Sequence, residues 1–311
     1  MTTAHGTTTA RRTAGRVARE VVLVANANAS GASGGRSPDR VAAELRALGA
    51  RVELLRTRSP GEMADAWRRE PGRLVVLLGG DGTLHAAVNL PGPAPEVALI
   101  PAGRANNVAR CLGIPVSPPQ AARTALEGRA RPVDLIECRA GASRIVAVEG
   151  LSVGFLALAR HRYHSRNSAD VTAAVAAGAA ALVHFHPLDV RLTEHGRPGM
   201  VHVGQLFVAN MQCFGTGLRV APHADPRDGL LDVVAIDIPG RRAIPAMLLR
   251  LRRGTHLRHR GVRRWRATEI TIETRGTSPV MADAEELGSG PVEVRALRGA
   301  LDVVVPAQPC D

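Results

Sequence analysis

From residue 21 onward the chain alternates two kinds of hydrophobic spacing. VVLVA (21–25), RVELL (51–55), LVVLL (74–78) and VALIP (97–101) are short, largely apolar runs of strand length. Between them the apolar positions fall three and four residues apart. Val41, Leu45 and Leu48 follow Ser37-Pro38 and stop at Gly49, and Met63, Ala66 and Trp67 follow a capping-box start at Ser59, Pro60 and Glu62. Leu84 and Val88 follow a glycine loop, and VARCL follows the loop AGRANN. Strands alternating with short helices predict an α/β domain with a doubly wound, mostly parallel sheet.

The spacing changes after VDLIEC (133–138). RIVAVEG, LDVRLTE, VHVGQLFVAN, LLDVVAID and TEITIE alternate apolar and polar residues between Gly, Pro and Asp turns. They predict a mainly antiparallel β-sandwich with one helical insertion near 168–185. The expected organisation is a mobile tail over 1–18, an α/β domain over 19–135, and a β-rich domain over 136–311 whose last residues have room to return to the first.

Composition narrows the chemistry. The 311 residues suffice for two domains, and with 2% aromatic residues their core must be built from Val, Leu, Ile and Ala. All 40 Lys+Arg residues are arginine, which excludes Schiff bases and the lysine of ordinary phosphate loops. A formal charge of +12 favours an anionic contact. Residues 241–266, RRAIPAMLLRLRRGTHLRHRGVRRWR, offer their arginines either to an anionic membrane surface or to water; a single tryptophan and no recognised motif argue against nucleic acid. Cys111, Cys138, Cys213 and Cys310 are widely spaced and read as free thiols of a cytoplasmic protein. VTAAVAAGAAALV (171–183) falls short of the roughly 20 residues a bilayer span needs, and reads as a buried or interfacial helix.

The densest chemistry lies in LVVLLGGDGTLHAAVNL (74–90). A strand ending in Gly79-Gly80 allows a tight turn close to a ligand, and Gly82 extends that freedom past Asp81. Thr83 can cap the following helix, whose free N–H groups and dipole favour phosphate. Asp81 repels phosphate, so its expected task is to position Mg²⁺ directly or through water.

GGDGT after a buried strand resembles the signature of the diacylglycerol kinase catalytic family and, beyond it, of NAD kinases and 6-phosphofructokinases. VANANASG (24–31) is similar to that family's first loop, with Ala27 where proline is usual. PAGRANNVARCLGIP (101–115), VDL (133–135), GTGLRVAPHADPRDGLLDVV (215–234), GTHLRHRGVRRWRA (254–267) and ADAEEL (282–287) resemble further family segments in the expected order. The resemblance implies an N-terminal domain that holds ATP and a C-terminal sandwich that supports a lipid. On it, the nucleotide falls to Asn26, Thr57, Gly79, Gly80, Asp81, Gly82, Thr83, Gly103 and Arg104. Glu285 would be the base for a lipid hydroxyl, partial burial bringing its pKa toward neutrality. Asp228, with carbonyls near Asp225 and Leu230, would form a second, structural metal site, and Asp134 would join Asp81 in the magnesium network.

The chain departs from the pattern at Arg104 for Thr, Asn107 for Asp, Glu149 for Asn and Ala284 for Gly. An arginine at 104 could clamp phosphate or fill the adenosine pocket. The implied function is an ATP- and Mg²⁺-dependent kinase of a diacylglycerol- or sphingoid-like lipid, cytoplasmic and peripherally membrane-associated; a homodimer is compatible with it. Two alternatives stay open: a kinase of NAD or another small molecule, and a catalytically weak nucleotide- or lipid-binding member. Asn106-Asn107 differs from the Asn-Glu pair of NAD kinases, and the DGLLD and DAE elements favour lipid.

Overall fold

The computed structural model describes residues 19–26, 36–67, 73–164, 171–275, 278–287 and 290–307. The tail over 1–18, residues 27–31 of VANANASG and Cys310 lie outside them. The first half runs β1 (Glu20–Asn26), α1 (Pro38–Ala47), β2 (Arg51–Thr57), α2 (Pro60–Trp67), β3 (Leu74–Gly79), α3 (Asp81–Val88), β4 (Val97–Pro101), α4 (Asn107–Cys111) and α5 (Pro118–Glu127). Its strands pair in parallel in the order β2-β1-β3-β4. β3 is buried along its whole length, as a strand covered on both faces must be. The predicted caps form: Ser37 Oγ accepts from Arg40 N–H and Ser59 Oγ from Glu62 N–H, while the Glu62 carboxylate accepts from Arg58 N–H at 2.6 Å.

The second half contains β5 (Arg129–Ala140), β6 (Ser143–Ala147), β7 (Gly150–Gly154), α6 (Phe155–His164), α7 (Val171–Val183), β8 (Leu188–Glu194), β9 (Arg197–Val203), β10 (Gln205–Ala209), β11 (Leu231–Ile236), α8 (Ile244–Arg253), β12 (Val262–Ala267), β13 (Glu269–Thr274), β14 (Val280–Ala282), β15 (Glu285–Leu287) and β16 (Val292–Val305). An antiparallel six-stranded sheet, β12-β11-β10-β7-β14-β15, packs one face on β5, β8, β13 and β16 through Leu206, Val208, Val233, Val190 and Ile272. Its other face, with Phe207, Val234 and Ile236, is covered by α6, α7 and α8. The sandwich is thus as expected, with a helical layer added.

Where the spacing predicts one helix near 168–185, there are two, α6 and α7. FLALARHRYH escapes a periodicity reading because its apolar residues come first and its basic ones last. The two halves also share a sheet: β16 pairs antiparallel with β5 and β13, then runs parallel beside β4 at Val303 and Val97. A register shift between Leu297 and Leu301, with Gly299 at φ 58°, lets one strand serve both halves. Among the described residues no helix is long and apolar enough to cross a membrane.

Candidate active site at the junction of the two halves

Two glycine loops meet at the C-terminal ends of β3 and β4. A Cβ on Gly80 would lie 2.7 Å from the Cα of Gly103, and one on Gly103 would lie 2.6 Å from the Cα of Gly80. A Cβ on Gly79 would lie 2.2 Å from Thr83 Oγ1. Close contact therefore demands glycine at all three places. At Gly82, by contrast, no atom lies within 4 Å of where a Cβ would stand, so the first turn of α3 opens onto free space. Asn106 closes the second loop from a left-handed conformation (φ 51°), accepting from Gly103 N–H and donating to Gly103 C=O, each at 2.9 Å.

Asp81 heads α3, and its carboxylate reaches across to α4, accepting from Asn107 N–H and Val108 N–H at 3.1 Å each. It thus caps α4 and locks the two glycine loops together. Burial pushes its pKa up, while those two amides act against that rise. Asn107 then links the halves, its amide donating to Gly215 C=O at 2.8 Å and to Glu149 Oε1 at 3.1 Å. The other Glu149 oxygen accepts from Gly215 N–H at 2.9 Å. Burial, reinforced by the Asp283 and Asp81 charges, raises the Glu149 pKa well above the ordinary carboxylate range. Asn107 and Glu149, two of the departures noted in the sequence, are therefore hydrogen-bonded to each other.

Asp283, at φ 47° in the turn between β14 and β15, is the hub of the junction. One of its oxygens accepts from Glu149 N–H and Gly150 N–H at 2.9 Å; the other accepts from Val148 N–H at 2.7 Å and lies 2.9 Å from His85 Nδ1. His85 is one turn along α3 from Asp81, and its Nε2 stands 3.2 Å from Glu285 Oε1. Burial works against a charged imidazole here, but the hydrogen bond and charge of Asp283, aided by Glu285, win and raise its pKa.

The Glu285 side chain is 55% exposed, so it is covered only in part. It heads the short strand β15, beside His85 of the other half. Arg104 is exposed on the second glycine loop. Arg160, on α6, lies in the field of Glu149, Asp283 and Arg104; burial lowers its pKa, and its Nε has no hydrogen-bond partner among the described residues. Thr57 is buried at the end of β2, in register with Asn26 at the end of β1.

The remaining expected residues lie elsewhere. Asp134 does not join Asp81: it is 1% exposed, and its carboxylate accepts from Gly229 N–H at 2.6 Å and Gly299 N–H at 2.7 Å. It crosslinks the Asp-Gly turn to the β16 irregularity. Asp225, Asp228 and Leu230 sit in that turn. Two open grooves, of about 410 and 580 Å³, lie on the sandwich around Thr271 and Trp265 and hold none of the cleft residues. The sequence reading overlooked His85 and Asp283. A lone histidine on an apolar helix face carries no local signature, although its four-residue step from Asp81 places both on one side of α3.

Residues 20–138 match the family model of the diacylglycerol kinase catalytic domain, and residues 151–305 match that of the YegS C-terminal NAD kinase beta sandwich-like domain. The chain is 30% identical over 245 residues to a Mycobacterium tuberculosis diacylglycerol kinase, covering 75% of this chain and 76% of that one. It is 24% identical over 248 residues to the Bacillus subtilis diacylglycerol kinase, covering 76% and 78% of the two chains. A Bacillus anthracis diacylglycerol kinase structure shares the fold at a TM-score of 0.70 and 18% identity, over 95% of this chain and all of the other. An Archaeoglobus fulgidus NAD kinase in complex with ATP shares it more loosely, at a TM-score of 0.52 and 14% identity over 92% and 93% of the two chains. Both halves of the chain, in order, thus place it in the diacylglycerol kinase catalytic family, with a YegS-type C-terminal domain.

Proposed function

We propose that this chain is a lipid kinase that transfers the γ-phosphate of ATP, with Mg²⁺, to the hydroxyl of a diacylglycerol- or sphingoid-like lipid. One observation carries the reading: α3, which begins within the GGDG turn, carries His85, whose Nε2 lies 3.2 Å from Glu285, the exposed carboxylate of the other half. A phosphate donor on one side and an alcohol on the other would meet there. The names of the relatives support a lipid acceptor.

The roles follow from the geometry. The open first turn of α3 at Gly82 and the dipole of that helix cradle the triphosphate. Arg104 and Arg160 supply the cationic charge that a lysine gives elsewhere. Asn26 and Thr57, side by side at the ends of β1 and β2, flank the nucleoside. Among the described residues no three His, Cys, Asp or Glu side chains are arranged to hold a metal alone. A magnesium ion that keeps its waters and phosphate oxygens needs only one or two carboxylates, and Asp81 can offer the lone pairs left after its two amide bonds. Bound there, the ion would neutralise charge on the transferring phosphoryl group.

Glu285 takes the hydroxyl proton as the lipid oxygen bonds to phosphorus and the bridging oxygen leaves with ADP. His85, fixed by Asp283, holds Glu285 by charge, its Nε2 making no well-aligned hydrogen bond among the described residues. The lipid would be met at a membrane surface through the outer helical layer. There α7 is uncharged, with Val175 68% and Val183 64% exposed, and α8 shows Leu249 at 48% beside Arg250, Arg252 and Arg253. The test is transfer of label from γ-labelled ATP to a panel of lipid alcohols in mixed micelles, with NAD assayed beside them. Label in the organic phase is the expected result; label in NAD alone, or in nothing while ATP binds, would reject the reading.

A further inference from the structure

Residues 225–232 form the turn to which the family resemblance assigns a structural metal. The donor set does not fit one. A hard cation needs converging oxygens whose negative charge is not already offset, and here both carboxylates at the tip of the turn face guanidinium cations. Both Asp225 oxygens are taken by Arg227, whose Nε lies 2.9 Å from one and whose terminal nitrogen lies 3.4 Å from the other. Asp228 accepts from Leu230 N–H at 3.0 Å with one oxygen, and its other oxygen is 3.5 Å from the guanidinium of Arg266. The Asp225 carbonyl accepts from Asp228 N–H at 3.3 Å. Asp134, expected beside Asp81, has its carboxylate committed to Gly229 and Gly299.

We propose that guanidinium groups do here what a metal ion would do: Arg266 and Arg227 offset most of the charge of the turn, and buried Asp134 fixes its backbone. Arg266 is placed for this by strand register, standing opposite Asp232 across β11 and β12. From there it donates to Asp232 at 3.3 Å and to His223 C=O at 3.4 Å, and reaches Asp228. One side chain thus ties three points of the segment, as a multidentate cation would. Asp134 completes the set, its own N–H donating to Pro226 C=O at 2.7 Å. In consequence the turn itself needs no divalent cation. This inference is independent of the kinase reading, since it concerns a turn outside the cleft.

The test is an anomalous difference map from crystals soaked in Mn²⁺ without nucleotide, together with melting of Arg266→Gln. No manganese bonded to Asp225 or Asp228 oxygens, and a midpoint lowered by about 2–4 °C in the variant, are expected. A manganese peak bonded to those carboxylates would overturn the proposal, and so would an unchanged midpoint in Arg266→Gln. Crystals of the variant are not needed, so the first arm stands even if the variant folds poorly.

Discussion

Asp283 occupies a backbone conformation that L-residues seldom adopt, and its hydrogen bonds account for that. A φ of 47° aims its carboxylate at three successive amides, Val148 to Gly150, and at His85. Replacing it with alanine leaves those donors without an acceptor, and a loss of about 3 kcal/mol is expected in chemical denaturation. His85 gives a pH-dependent signature. Its folded pKa is raised above the ordinary 6.5, so its stabilisation is fully present below that value and fades as the pH climbs through the folded pKa. The melting difference between wild type and His85→Gln should therefore be largest at acidic pH and shrink in alkali; a difference that grows with pH would contradict the assignment. Such residue-scale roles were only half legible. GGDG and DAE were visible as strings, but their partners are distant along the chain: Asp81 caps a helix that begins 26 residues later, and Asp283 anchors a histidine 198 residues earlier.

At the scale of elements, the contact between the two glycine loops is the tightest constraint. Gly80→Ala or Gly103→Ala would drive a methyl group into the other loop's Cα, and overpacking of this kind costs about 1–3 kcal/mol. Because the displaced backbone is the proposed phosphate cradle, ATP affinity measured by calorimetry should fall in both. Gly82→Ala meets no protein atom and should fold at wild-type stability. Equal stability across all three variants would contradict the packing argument. The strands that lead into these loops were plain in the sequence, because uninterrupted apolar runs bounded by glycine specify buried parallel strands through local pattern alone. α6 was not, since Arg160 and Arg162 in its basic last turns are half-buried, which breaks the expected division into apolar and polar faces. The direct partners of Asp134 were hidden for a similar reason: Gly229 and Gly299 are brought to it by how β16 bends.

For the whole molecule, β16 decides how rigidly the halves are coupled. By pairing with β5 and β13 and then with β4, it makes one ten-stranded sheet of what the sequence presents as two separate patterns. Periodicity reports each strand's faces but is silent on its neighbours, so local pattern leaves room for this joining without specifying it. The outer helical layer supplies the molecular prediction. Binding to phosphatidylglycerol vesicles should weaken about a hundredfold when Arg250, Arg252 and Arg253 become glutamine, each contributing about 1 kcal/mol near an anionic surface, and should fall when Val175 and Val183 become glutamate. Equal sedimentation with neutral phosphatidylcholine vesicles would remove the electrostatic part of that account. The central claim is that Glu285 accepts the proton of a lipid hydroxyl attacking ATP held at the GGDG loop. Single-turnover label transfer in Glu285→Gln, with ATP affinity measured in parallel, tests it most directly. The account predicts unchanged ATP affinity with transfer slowed by about 10²–10⁴-fold; transfer at the wild-type rate would contradict it.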